Sequence, residues 1–598
     1  MKYRNIREEE LKNKIGQDFF GKFDCTEIIR DIDFAVKRSI PASPMEGSYL
    51  LWAEDEKELK RFIRNNFDDN GINPVVKVRI DKNNLLVPQD VRERKGSFFT
   101  PQIWVELSQK YLTDVLGRDW QDEYYVWDCA AGTGNLLAGL TNKYNIWAST
   151  LDKADVDVMQ ERIRNGAVLL ESHVFQFDFL NDDFSKLPKG LQDIINDPKQ
   201  RKKLIIYINP PYIEGDAKIG KGRKGSQITK IHQKYQRELG KASSELFAQF
   251  FMRTYCEIPS CILAEFSKIK NLQAPNFSVF RKTFMAKLTK LFLVPASTFD
   301  NVNGQFPIGF FIWDTSQKEH FKQIYANVYD EDGHYLCKKN IISYDHLNYI
   351  SDWLENNSKN ISINHIGHLA SVGNDFQHQR DVYIDDVNRK KIAGGRHTMI
   401  SIENLIIVSV YYTVRQIIPA TWLNDRDQFL YPNDGWKKDE TFQNDCLAYT
   451  LFSNNISSKY GVNHWIPFME NEIEARDKFD SHFMMSFISG KIIQNRYSDL
   501  FTQEDDVFCK KREFSEAATN VFDTGRELWR YYHAQPLCDV NASLYDIREY
   551  FQGRSDKGMM NNRSDNETYN ELIGALRTAL KTLAKKIEPK VYAYGFLR

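Results

Sequence analysis

Asn209, Pro210, Pro211 and Tyr212 stand in a row directly after the apolar run at residues 204–208. They put an amide, a rigid turn and an aromatic ring at the mouth of what reads as a buried strand. That set suits the capture of an amino group conjugated to a base ring. Such an amino group is a weak nucleophile, because its lone pair is delocalised into the ring. Two acceptors, the Asn209 side-chain oxygen and the Pro210 carbonyl, could take its two hydrogens and draw the nitrogen toward tetrahedral geometry. Pro211 brings no backbone donor to compete, and it restricts Pro210 to an extended conformation. Tyr212 could stack on a base turned out of its duplex. Taken alone, the four residues read equally as a strand that ends in a Pro-Pro turn.

The elements that must position them lie upstream. Residues 126–137 read as a strand, a glycine turn and a helix start, with Asp128 at the strand end. Gly132 and Gly134 allow positive φ and close approach of backbone to a ligand. Asp128 can accept hydrogen bonds from a cationic or amino ligand. A second apolar run at 146–151 ends in Asp152, about 20 residues past the glycine turn, where doubly wound folds place an acid on ribose hydroxyls. A third, at 174–177, ends in Asp178, placed to accept from an adenine amino group. The phosphate-binding glycine fingerprint is not matched, so a nucleoside without pyrophosphate fits better. Four strand ends in succession thus carry polar residues, and strand C-termini are where open parallel sheets bind ligands.

This order resembles the amino-methylating DNA methyltransferases, specifically the N6-adenine branch. The resemblance takes in Arg94, Gly96, Phe99, Thr100 and Pro101, which match the family's N-terminal cofactor motif. Having that motif first, the glycine motif next and the catalytic tetrapeptide third is the family's gamma arrangement, with target recognition at the C-terminus. The resemblance implies that Phe99, Thr100 and Pro101 pack on the methionine end of S-adenosylmethionine, and that Asp128, Ala130, Gly132, Gly134 and Asn135 line the cofactor. It implies Asp152 on the ribose, Asp178 on the adenine, Asn209, Pro210 and Pro211 at the target amino group, and Tyr212 stacked on the flipped base. The family often sets an aromatic on the base's other face; Phe299 is the candidate and Phe306 the reserve, with a plain core role for either left open.

Downstream, residues 243–253 read as a helix, 261–266 and 291–295 as further strands, and 309–313 as part of a final hairpin. The expected fold class is α/β: a doubly wound, Rossmann-like domain at about 91–320, preceded by an α+β segment (1–90) and followed by a mixed target-recognition region (321–555). Residues 556–598 read as helix, with Leu572, Leu576, Leu580 and Leu583 recurring at helical spacing.

The N-terminal segment carries Asp33 and Glu54 on two strand-like runs, which resembles the metal site of PD-(D/E)XK nucleases fused ahead of gamma-type methyltransferases. Such a site wants Glu-x-Lys, but Glu56 stands where the lysine belongs and Lys57 comes one residue late, facing the other way on a strand. Two readings stay open: a shortened, cleavage-dead relic, or an unrelated β-hairpin cap.

The chain has 598 residues, 42% hydrophobic and 27% charged, a globular balance with length for about three or four domains. No apolar run of about 18 residues suggests a membrane span, and no signal-peptide stretch opens the chain. Eight scattered cysteines without a CxxC pair read as free thiols in a reducing, cytoplasmic setting, not as metal ligands. A net charge of −1 means that affinity for phosphates must come from local patches. The clearest lies just after the tetrapeptide and includes Lys221, Arg223, Lys224 and Lys230; a second runs from Arg389 to Arg396. The expected partner is double-stranded DNA, and a separate restriction or specificity partner is left open. The sequence reading is therefore a site-specific adenine-N6 DNA methyltransferase using S-adenosylmethionine and no metal. The alternatives are a bifunctional restriction-modification enzyme with endonuclease activity, methylation of another exocyclic amino group, and a non-catalytic DNA-binding subunit.

Overall fold

The computed structural model describes residues 100–211, 228–299, 304–359, 361–389, 395–491, 493–494, 507–508 and 510–598. Asp33, Glu54, Lys57, Phe99, Tyr212, Lys221, Arg223 and Lys224 lie outside the described residues. The chain divides into two compact units, Met1–Ser343 and Tyr344–Arg598.

The first unit is mixed α/β, built on one mostly parallel nine-stranded sheet in the order β3-β2-β1-β4-β5-β7-β6-β8-β9. Its strands are β1 (Tyr125–Asp128), β2 (Ile146–Thr150), β3 (Val174–Gln176), β4 (Leu204–Ile208), β5 (Ile262–Lys268), β6 (Ala286–Pro295), β7 (Pro307–Lys318), β8 (Gln323–Tyr329) and β9 (Tyr335–Ile342). β1 to β5 pair in parallel, while β7 runs antiparallel between β5 and β6. Every residue of β2 and β4 is buried. That is why β4 reads as an unbroken apolar run and β2 carries nothing more polar than Ser149 and Thr150: a central parallel strand is covered on both faces and has no solvent side to alternate toward.

Three helices matter for the site: α1 (Gln102–Leu116), α2 (Lys153–Arg164) and α3 (Leu246–Glu257). α1 buries Trp104, Val105, Ser108, Tyr111 and Leu112, one helical stripe, against the sheet. The Ser108 hydroxyl lies 2.5 Å from the Tyr207 hydroxyl of β4, and the Tyr111 ring meets Phe292 of β6 edge-on at 4.8 Å. The start of α1 is thereby fixed over the C-terminal end of β4.

Two local features depart from the sequence reading. The glycine turn leads into a single 3-10 turn, Asn135–Leu137, rather than a helix. Gly139 follows at φ +86°, a left-handed conformation that a right-handed helix cannot pass through. The sheet also runs past residue 320 through β8 and β9. The first four residues of β9 are exposed, so this stretch lacks the apolar run that marks the central strands.

In the second unit, β10 (Gly367–Ser371), β11 (Tyr383–Asp385) and β12 (Arg396–Ile400) form an antiparallel sheet with β10 central. The longer helices that accompany it among the described residues are α4 (Leu405–Gln416), α5 (Glu440–Leu451), α6 (Glu516–His533), α7 (Leu544–Gln552) and α8 (Glu567–Ala593). α8 buries Tyr569, Ile573, Leu576, Ala579, Leu583, Ile587 and Val591, a three-and-four repeat, in one core with α5 and α6. No described helix is long and apolar enough to cross a membrane.

Candidate functional site

Strand order reverses between β1 and β4, so the chain leaves their C-terminal ends toward opposite halves of the sheet and opens a crevice there. A cavity of ≈ 470 Å³ occupies it, and Thr100, Asp128, Gly132, Asp152, Asp178 and Asn209 all line it. Five chain segments scattered over more than a hundred positions thus converge on one space. Ala130, Asn135 and Pro211 line it as well.

The glycine turn forms its floor. Gly132 and Gly134 take φ of +52° and +84°. A Cβ on Gly132 would meet nothing within 4 Å, so its open side faces the cavity, whereas one on Gly134 would stand 3.2 Å from Met159. The turn is pinned from both sides. Ala131 N–H donates to the Ser149 carbonyl of β2 at 3.0 Å, and Arg162 of α2 donates to the Thr133 carbonyl at 2.5 Å and the Asn135 side-chain oxygen at 2.8 Å. Arg162 was invisible to the sequence reading because its partners lie 29 and 27 residues away.

Asp128 is 1% exposed and accepts from the Ala130 N–H at 3.0 Å. Burial pushes its carboxyl up to about 8, with the Ala130 bond pulling weakly the other way. A buried acid on a cavity wall fits a ligand that brings a positive charge.

Asp178 is held by three donors of the loop that follows it: Leu180 N–H at 3.0 Å, Asn181 N–H at 3.1 Å and the Asn181 amide at 2.8 Å. The same loop supplies the apolar walls Phe177 and Phe179, and Phe250 of α3 stacks on Phe179 at 5.0 Å between centroids. Arg253, buried near the end of α3, clamps this loop. It donates to the Phe179 carbonyl and, at 2.8 Å, to the Asp182 carbonyl, pairs with Glu257 at 2.9 Å, and covers the Phe184 ring at 4.2 Å. An arginine inside the phenylalanine-rich stretch at 246–254 was the one sequence signal that could have revealed it.

Asn209 follows the last residue of β4, and its amide nitrogen donates to the Thr100 hydroxyl at 2.8 Å. Thr100 is 4% exposed and stands just ahead of α1. The bond fixes which edge of the amide faces Thr100 and leaves the oxygen on the opposite edge. Pro210 is buried.

Other candidates fall elsewhere. Phe299 is 2% exposed in the core, edge-on to Phe266 at 5.9 Å, and is not on the cavity wall; Phe306 is partly buried beneath the Lys268 ammonium. Lys230 is exposed, with its backbone N–H on the Asn181 side chain. Arg389 is spent on Asp385 at 3.1 Å and on the Tyr460 and Tyr545 rings, which takes it out of a phosphate-binding patch, while Arg396 is exposed on β12. Among the described residues, no group of three His, Cys, Asp or Glu is placed to hold a metal ion.

No family model matches the chain, and no curated protein matches it. Several solved structures are similar at low identity. One is a type IIL restriction-modification enzyme, MmeI, in complex with DNA: 11% identity over 89% of this chain and 81% of that one, TM-score 0.39. Another is the methyltransferase subunit of a type I restriction-modification system from Streptococcus thermophilus: 15% identity over 56% of this chain and 66% of that one, TM-score 0.31. A third is the type IIG restriction endonuclease BpuSI: 19% identity over 50% of this chain and 34% of that one, TM-score 0.27. The chain spans less than two thirds of the length of the latter two. Likenesses of this strength leave the reading to rest on the site itself.

Proposed function

We propose that this chain is a DNA methyltransferase that transfers a methyl group from S-adenosylmethionine to the N6 amino group of an adenine flipped out of duplex DNA. The observation that carries the reading is the Asn209–Thr100 hydrogen bond inside a cavity that also holds Asp128, the glycine turn, Asp152 and Asp178. The amide that would grip a target amino group and the residues that would grip a nucleoside share one space.

The cavity fits the cofactor in size and in chemistry. Its volume lies within the usual range for small-molecule sites. A buried carboxyl stands ready for an ammonium, two further acids for hydroxyl and amino groups, and an uncrowded glycine for close approach. S-adenosylmethionine would supply an electrophilic methyl on a positively charged sulfur.

The chain's own residues then do three things. Thr100 holds the Asn209 amide so that its oxygen, with the Pro210 carbonyl, accepts both hydrogens of the target amino group. This restores lone-pair density to the nitrogen and stabilises the positive charge that grows there as the new carbon–nitrogen bond forms. The phenylalanine walls and the Arg253 clamp keep the cavity rigid and dry, so that positioning supplies much of the rate. The nitrogen's lone pair takes the methyl, leaving the electron pair of the broken methyl–sulfur bond on a neutral thioether; the nitrogen then sheds one proton to solvent, and the Asn209 oxygen holds that hydrogen until it leaves.

The domain roles follow from the same reading: the first unit carries the chemistry, and the second carries target recognition. Incubation of the protein with labelled S-adenosylmethionine and unmethylated duplex DNA, then digestion to nucleosides, tests it. Label in N6-methyl-2′-deoxyadenosine supports the proposal; label in cytosine derivatives, in the protein alone, or nowhere contradicts it.

A further inference from the structure

The second unit carries a row of cations that the fold does not use. In α8, Arg577, Lys581 and Lys585 are all exposed, and they recur every four residues along one side of the helix. At 1.5 Å per residue their Cα atoms are spaced by about 6 Å, so the row is about 12 Å long. No acidic residue occurs between Glu571 and Glu588. Beside the row lie Gly574, Thr578 and Thr582. Each threonine hydroxyl turns back onto its own helix, to the Gly574 carbonyl at 2.9 Å and the Thr578 carbonyl at 3.1 Å. The surface beside the cations is therefore low, and the next acid along the helix is Glu588, one turn past Lys585.

The contrast with neighbouring cations is sharp. Lys586 pairs with Asp445 at 3.0 Å, Lys590 with Asp439 at 2.8 Å, Lys510 with Glu440 at 2.8 Å and Lys437 with Asp434 at 2.8 Å. The first three of these pairs tie separate stretches of the unit together, and the last is local to one helical turn. For Arg577, Lys581 and Lys585, no carboxylate comes within 4.0 Å among the described residues.

A second observation points the same way. Arg548 of α7 is partly buried and donates to Gln552 at 3.3 Å, and Gln552 in turn accepts from the Tyr569 hydroxyl of α8 at 3.1 Å. Burial, and to a lesser degree the nearby Arg577 cation, hold the Arg548 guanidinium below its usual pKa, against an opposing pull from Tyr569. Two arginines held near one another without a carboxylate repel, and a bound polyanion relieves that repulsion.

We propose that Arg577, Lys581 and Lys585 form a phosphate-contacting surface through which the second unit grips the backbone of duplex DNA. The inference rests on the reading of the chain as acting on duplex DNA, and adds the surface that holds it. A helix lying along a strand with a cation at every turn neutralises successive phosphates without reading bases, so its contribution is affinity and register rather than sequence choice.

The test is the salt dependence of binding to a short unmethylated duplex, measured by fluorescence anisotropy for the full chain and for the triple variant Arg577→Gln, Lys581→Gln, Lys585→Gln. Each lost phosphate contact lowers the slope of log K against log salt by about 0.9, so the variant's slope should be smaller by about 2 to 3. Its affinity at low salt should fall by at least about 10-fold, while its affinity for S-adenosylmethionine is unchanged. A second variant, Arg577→Lys alone, which keeps every charge along the row, should bind as the parent does. An unchanged slope in the Gln variant overturns the surface while leaving the methyl-transfer reading intact. A parent that binds no duplex at all overturns both.

Discussion

Asp128→Asn should make the protein more stable and a worse binder of S-adenosylmethionine. The buried carboxyl has its pKa pushed up to about 8. In the unfolded chain it would titrate near 3.9. Below about pH 4 it is protonated in both states and costs the fold nothing. Between about pH 4 and pH 8 the unfolded chain has released the proton while the fold retains it, so stability falls as pH rises; above about pH 8 the loss is complete. At about pH 7 the penalty relative to an uncharged side chain is about 4 kcal/mol. Asparagine keeps the acceptor for the Ala130 N–H and removes the penalty. The urea midpoint of the variant should match the parent near pH 4 and exceed it increasingly toward pH 8. Binding should move the other way. Loss of a charge-assisted hydrogen bond to the ligand's ammonium costs about 2 kcal/mol, or roughly 30-fold in Kd by calorimetry. A variant that is less stable than the parent at about pH 8, or one that binds S-adenosylmethionine as tightly as the parent, would refute the assignment of Asp128 as a buried acid waiting for a cation.

Other outcomes follow from the same geometry. Thr100→Val removes the acceptor that orients the Asn209 amide; kcat should fall by about 10-fold or more with little change in the Kd of S-adenosylmethionine, and Thr100→Ser should restore it. Gly134→Ala places a Cβ at positive φ and 3.2 Å from Met159, so unfolding should show a loss of about 1 to 2 kcal/mol. Arg253→Met strips the Phe179 and Asp182 carbonyls and Glu257 of their shared donor; the first unit should lose about 3 kcal/mol, and faster hydrogen exchange should appear in residues 177–184.

Much of the first unit's sheet was legible in the sequence because its central strands have no exposed face. The runs at 146–150 and 204–208 announce themselves as apolar, and each ends where a polar residue meets the cavity. Gly132 and Gly134 likewise mark a turn that only such residues make easily. The rest depended on contacts between distant positions. Thr100 and Asn209 are 109 residues apart, and no local pattern announces that one orients the other. Arg162 and Arg253 each hold a loop through backbone carbonyls, and a carbonyl has no side-chain type to notice. Phe299 shows the converse. Aromatic residues near a site read as stacking platforms, but this one packs edge-on into a core already rich in phenylalanine. β9 was hidden because an edge strand exposes its side chains, β8 beside it because only two of its seven residues are buried, and Arg389 because its tyrosine partners lie far along the chain.

The central claim is that Asn209 activates the target amino group rather than merely closing a turn. Its most direct test compares the parent with Asn209→Ala in single-turnover methyl transfer to one duplex, with S-adenosylmethionine affinity measured alongside. The account predicts that transfer falls by about 100-fold or more while cofactor affinity changes by less than about threefold. Transfer retained by the variant, or lost only in step with cofactor binding, would contradict it.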